Sequence, residues 1–270
     1  MGLFVRLIER VLELFIERKM QKYRPRMGGG GQNLFQLLTD SYNSGQYPNA
    51  LSMCEMATSC GMEMGPLRAD LLMQVDRFDE AAQALTKYLA MEKEPKSMAL
   101  AQCVFGDLLL LQHRFDEALE RFTRALNLWP DRGATHRSIA EVWLRRGSDA
   151  PQALRWAQQA IEKENAEPGV TPETKAANRS MQSATLAWAL AASSKDTAEV
   201  ERLAAEAIGL FSGVAVSSRA RVYILIGMAY AEHRNAPKCI EHLENAGRVD
   251  PLGAWGREAQ KMAAEIKAMV

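Results

Sequence analysis

Apolar and polar residues follow two regimes along this chain. Residues 3–16 are apolar at Leu3, Phe4, Val5, Leu7, Ile8, Val11, Leu12, Leu14, Phe15 and Ile16, and polar only at Arg6, Glu9, Arg10 and Glu13. At about 100° per helical residue, those four polar side chains share one wedge of roughly 100° and leave about 260° of the circumference apolar. From Asn33 onward there is no strand-like alternation, and the chain resolves into helices joined by short polar turns. Helix pairs are predicted at 33–60, 64–91, 96–129, 133–164, 174–211 and 219–248, with a single helix at 254–269. Two turns are the clearest, Val75-Asp76-Arg77-Phe78-Asp79-Glu80-Ala81 and Gln112-His113-Arg114-Phe115-Asp116-Glu117-Ala118. Each closes one helix and opens the next with an acidic first turn, as the helix dipole favours. Between the two regimes, Tyr23-Arg24-Pro25-Arg26 and the run Gly28 to Gly31 predict a flexible hinge. The chain thus divides into an attachment helix (1–22), a basic, Gly-rich linker (23–32) and a helical domain (33–270).

Within that domain one spaced pattern occurs twice. Phe105-Gly106, Ala118, Phe122, Ala125 and Pro130 match Ile226-Gly227, Cys239, Leu243, Ala246 and Pro251, each in a window of 34 residues, 99–132 and 220–253. Small residues at fixed offsets let two antiparallel helices approach, larger apolar residues fill the space between them, and proline follows the second helix. On these residues the chain resembles the tetratricopeptide repeat (TPR) family over roughly residues 33–270. The resemblance implies an all-α, right-handed solenoid of about six helix pairs whose concave groove binds a protein or peptide without catalysis. It also implies that first-helix residues line that groove in the open: Phe35, Thr39, Tyr42, Asp70, Met73, Leu100, Cys103, Asp107, Leu110, Arg137, Glu141, Arg145, Trp188, Arg221, Ile224 and Met228. Phe35 and Thr39 stand where chaperone-binding members hold a carboxylate with lysine and asparagine, so no such clamp is expected. One point needs no family: Leu108 to Leu111 are consecutive and point around the whole helix, so either the next repeat or a ligand covers the excess. The last helix sets Arg257, Glu258, Lys261, Glu265 and Lys267 among Ala259, Met262, Ala263 and Ile266, which predicts a solubilising cap.

The amino-terminal helix is too short to cross a bilayer, since fourteen residues rise about 21 Å against a hydrocarbon core of about 30 Å. Three fates are open to it. It can lie in a membrane interface on Leu3, Phe4, Leu7, Ile8, Val11, Leu12, Phe15 and Ile16, with Arg18, Lys19, Lys22, Arg24 and Arg26 on anionic headgroups. It can bundle with copies of itself or with a partner helix, or it can fold back into the chain's own groove. Gly2 follows Met1, but Arg6 stands where a myristoylation motif wants Ser or Thr.

Charge sharpens the contrast between the two regimes. Lys+Arg and Asp+Glu balance at 33 each, which gives no signature of a nucleic-acid binder, yet residues 1–27 hold seven basic side chains against three acidic. The four cysteines, Cys54, Cys60, Cys103 and Cys239, lack zinc-site spacing and read as reduced packing thiols. The histidines, His113, His136, His233 and His242, read as solvated turn or surface residues, with His113 and His233 in equivalent turns. No nucleotide loop, metal site or catalytic constellation is recognisable. The expectation is a non-enzymatic adaptor without cofactor, on the cytoplasmic side and held at a membrane's inner face by residues 3–22, or else a soluble homo-oligomer or fixed subunit of a protein complex assembled through them.

Overall fold

A computed structural model describes residues 30–166, 172–194 and 196–269. Among these the chain forms thirteen helices and no strand: α1 (Gly30–Asn43), α2 (Tyr47–Ser59), α3 (Gly65–Gln74), α4 (Phe78–Met91), α5 (Pro95–Leu111), α6 (Phe115–Leu128), α7 (Gly133–Arg146), α8 (Ala150–Ala166), α9 (Pro172–Ser193), α10 (Thr197–Gly209), α11 (Val216–Glu232), α12 (Ala236–Val249) and α13 (Ala254–Met269). They pack as six consecutive pairs plus the last helix, and no described helix is long and apolar enough to cross a membrane. The expected pairs are found within a few residues of their limits. Helix α1 begins at Gly30, inside the stretch expected to be linker, and residues 1–29 lie outside the described residues.

The repeated motif works through contact. A Cβ on Gly106 would stand 2.5 Å from the Phe122 ring, and one on Gly227 would stand 3.2 Å from the Cys239 carbonyl and 3.3 Å from Leu243. Only a residue without a side chain lets the two helices of a pair approach this far. Cys239 itself is buried in the slot that Ala118 fills one motif earlier. Burial pushes the thiols of Cys54 and Cys239 up, Cys54 to about 12, so they remain protonated and serve as small apolar side chains. The turns also share a geometry. Asp76, His113 and Arg234 each adopt positive φ two residues before the next helix, and Gly45 occupies the same place before α2. Arg77 and Arg114 then grip Glu80 and Glu117 one turn on, each through two nitrogens. His113 is therefore matched by Arg234, and His233 lies one residue away from equivalence.

The terminal helix does more than shield the end of a stack. Helix α13 packs on α11 and α12 and also reaches α3 and α5. Gln74 Oε1 accepts from the Ala254 backbone N–H at 2.9 Å, Arg257 bonds the Gln74 carbonyl at 3.1 Å and Asp76 at 2.5 Å, and Tyr47 donates to Asp250 at 2.8 Å. The solenoid is closed end to end by these contacts. Trp255, Gly256, Ala259 and Ala263 are buried while Lys261, Glu265 and Lys267 stay exposed, so α13 is the expected cap with one apolar and one polar face, and it also packs as a seventh first helix.

Candidate functional site

Closure changes the groove. None of the first-helix positions expected to stand open is exposed: Tyr42, Met73, Leu100, Asp107, Leu110, Arg137, Glu141, Trp188, Arg221 and Ile224 are buried, and Phe35, Arg145 and Met228 are partly covered. Thr39, Asp70 and Cys103 are buried as well. The expectation of an open concave face is therefore corrected, because the first helices pack on one another and on α13. Leu108, Leu109 and Leu110 are buried in the core and Leu111 packs against it partly buried, so the run is covered by the protein itself. Met73, Leu110, Trp188 and Ile224 are core residues, and substituting them perturbs packing and not a ligand contact. The attachment residues Leu3, Phe4, Leu7, Ile8, Val11, Leu12, Phe15, Ile16, Arg18, Lys19 and Lys22 lie outside the described residues.

What remains of the groove is a lumen of about 40 Å³, lined by charged and apolar side chains together, to which every first helix contributes. Tyr42 (α1), Asp70 and Gln74 (α3), Asp107 (α5), Arg137 and Ser138 (α7), Met181 (α9), Ser217, Ser218 and Arg221 (α11) and Trp255 (α13) line it, with Arg132 from the turn before α7. Behind it lies an ion network centred on Glu141, which is fully buried. Arg221 stands 2.7 Å from Glu141, Arg145 3.0 Å and Arg137 3.3 Å. Arg145 continues to Glu258 at 2.6 Å, and Arg221 meets Asp107 at 2.9 Å, too obliquely for a hydrogen bond on the near oxygen. The guanidinium of Arg221 also lies 4.3 Å from the Trp255 ring centre, a cation–π contact.

Burial and pairing oppose one another in this network. Burial alone would raise the Glu141 carboxyl, but Arg221, Arg145 and Arg137 together hold it down at about 2. Arg137 has the weakest share: burial, then repulsion from Arg221, lowers it to about 10. Arg221 is raised against its burial by Asp107 and Glu141. Asp70 goes the other way. Burial and the charges of Asp107 and Asp250 lift it to about 7, against hydrogen bonds from Tyr42 and Gln74. A buried charge without a good partner is costly, so every acid here is either paired or partly protonated.

Two histidines also depart from expectation. His136 is buried with its Nδ1 3.1 Å from the Arg132 carbonyl, and His242 is half-buried and stacked 5.3 Å from Tyr230. Burial lowers both. They are packing residues, neither solvated nor grouped with metal ligands. Among the described residues no three His, Cys, Asp or Glu side chains form a metal cluster.

Eight of the expected groove residues do converge on the lumen or its network: Tyr42, Asp70, Cys103, Asp107, Arg137, Glu141, Arg145 and Arg221. Gln74, Arg132, Ser217, Ser218, Trp255 and Glu258 were not foreseen as part of it. A usable signal was present in α7, where Arg137, Glu141 and Arg145 fall at four-residue spacing on one stripe. Two cations around one acid on a concave face need a further acid, and Glu258 supplies it.

The fold is of the TPR type. No family model matches the chain, and no curated protein does. Similar solved structures include YrrB, described as a TPR protein with an unusual peptide-binding site, 20% identical over 77% of this chain and 97% of that one, with a TM-score of 0.40. BtubC from P. vanneervenii is 14% identical over 80% of this chain and 90% of its own, with a TM-score of 0.46. Yeast Tom70 is 17% identical over 82% of this chain and 43% of its own length, also at 0.46. The likeness in each case is one of repeat architecture.

Proposed function

We propose that this chain is a protein-interaction scaffold held at an anionic membrane face by residues 3–22. What supports the scaffold reading is the body itself: six helix pairs locked into one closed unit by end-to-end contacts, the arrangement of a rigid binding platform. A lumen of about 40 Å³ holds no peptide, so a partner reaches the concave residues only when α13 leaves α3 and α5. Otherwise it docks on the outer helix faces. What supports attachment is the broad apolar arc of residues 3–16 followed by Arg18, Lys19, Lys22, Arg24 and Arg26. Sedimentation with vesicles containing anionic lipid compares the full chain with one starting at Gln32. Pelleting of the full chain alone supports attachment, and equal behaviour of the two sinks it.

A second reading, oligomerisation through the same segment, is favoured by one observation. On the first pair, adjoining the point where residues 1–29 join the body, Leu37 and Met56 are 53% and 57% exposed. Multi-angle light scattering without lipid separates the readings, because a bundle loses its oligomeric mass when residues 1–31 are removed.

A further inference from the structure

The lumen is electrostatically lopsided. Asp107 is matched by Arg221, and Glu141 is shared among three guanidiniums. Arg137 has as its ion-pair partner only that shared acid, at a stretched 3.3 Å, and otherwise donates to the neutral Ser138 Oγ at 3.1 Å. Its side chain is 4% exposed, and its Nε finds no acceptor. Arg132 is buried and bonds only Cys103 Sγ at 3.3 Å and Thr135 Oγ1 at 3.2 Å, with no carboxylate in ion-pair range among the described residues. Two helix starts open onto the same space. Ala134 in the first turn of α7, and Ser217 and Ser218 in the first turn of α11, line it, and neither helix has a side-chain cap. Uncapped first turns present N–H groups and the positive end of the helix dipole, and in α7 the Thr135 N–H is already taken by the Arg132 carbonyl at 3.0 Å.

We propose that the lumen binds one small oxyanion, of carboxylate or phosphate size, between Arg132, Arg137 and the first turns of α7 and α11. The size suits a small group: one water-sized sphere needs roughly 10–15 Å³, so about 40 Å³ has room for a group of a few atoms and not for a peptide. The acids on the opposite wall do not prevent it. Asp107 is neutralised by Arg221, and the Asp70 carboxyl is held up at about 7, which makes it partly uncharged at neutral pH. Access runs past Ser218, the one lining residue that is not buried.

Isothermal titration of the full chain at pH 7 and constant ionic strength, with sodium acetate and with sodium phosphate, tests this directly. One saturable site per chain is expected, weakened at least tenfold by Arg132→Gln and by Ser218→Asp. Saturation by acetate alone assigns the site to a carboxylate, and saturation by phosphate alone to a phosphate; both support it. Absence of saturation with either anion overturns the proposal, as does binding that neither substitution weakens, which is the outcome for an anion held elsewhere. Circular dichroism checks each variant. If Arg132→Gln does not fold, Ser218→Asp carries the comparison, since an acid in a helix's first turn suits the dipole.

Discussion

Replacing Glu141 by glutamine removes the charge at the centre of the closed groove and keeps its shape. Arg137, Arg145 and Arg221 are then left with Asp107 and Glu258 as their only acidic partners. Breaking a buried ion pair by removing one partner costs about 3–5 kcal/mol. The protonation equilibrium gives a comparable figure. A carboxyl held at about 2 in place of its ordinary 4.5 contributes on the order of 3 kcal/mol at neutral pH. Because the folded value lies below the unfolded one, this contribution is complete above 4.5 and is lost as pH falls towards 2. Urea unfolding of the full chain and of Glu141→Gln at pH 7 and again near pH 3 measures both effects. The variant is expected to be about 3–5 kcal/mol less stable at pH 7, with the gap narrowing on acidification. A gap below about 1 kcal/mol at pH 7, or one that is the same at both pH values, refutes the view that Glu141 holds the three guanidiniums together.

Three further outcomes are expected. Asp70→Asn stabilises the chain by about 2–4 kcal/mol at pH 8: the folded carboxyl, at about 7, lies above its ordinary 3.8, so the native protein loses stability as pH rises between those values and asparagine abolishes that slope, as urea melts across pH 4–8 will show. Gly106→Ala loses about 1–3 kcal/mol, because the new methyl meets the Phe122 ring 2.5 Å away, and adding Phe122→Leu recovers part of the loss by the same assay. His113→Gly gains about 0.5–1 kcal/mol by relieving φ of 58° in an exposed turn, visible as a higher thermal midpoint.

The helix pairs were legible because their signals are local. A glycine opposite an aromatic ring, an acidic first turn and a proline two residues past a helix end all act within one 34-residue window. The groove residues were legible as a set for the same reason, since Arg137, Glu141 and Arg145 share a helix stripe. Their burial was not, because it depends on how far the superhelix turns over six pairs and on contacts between distant parts of the chain. Tyr47 meets Asp250 across 203 positions and Arg145 meets Glu258 across 113. Glu258 read as a solvated residue on a two-faced helix, and only closure gives it Arg145. His136 and His242 read as surface residues because a single histidine carries no periodic signal of burial.

The end-to-end contacts of α13 also change how stability is distributed. In an open solenoid each repeat touches only its neighbours, so the array behaves as a line of coupled units that fray from either end. Here Gln74, Asp76 and Tyr47 near one end are tied to Ala254, Arg257 and Asp250 near the other. A line joined at its ends has no free terminus from which to melt. Loss of the last helix is thereby felt in the first two pairs, and the repeats open together or not at all.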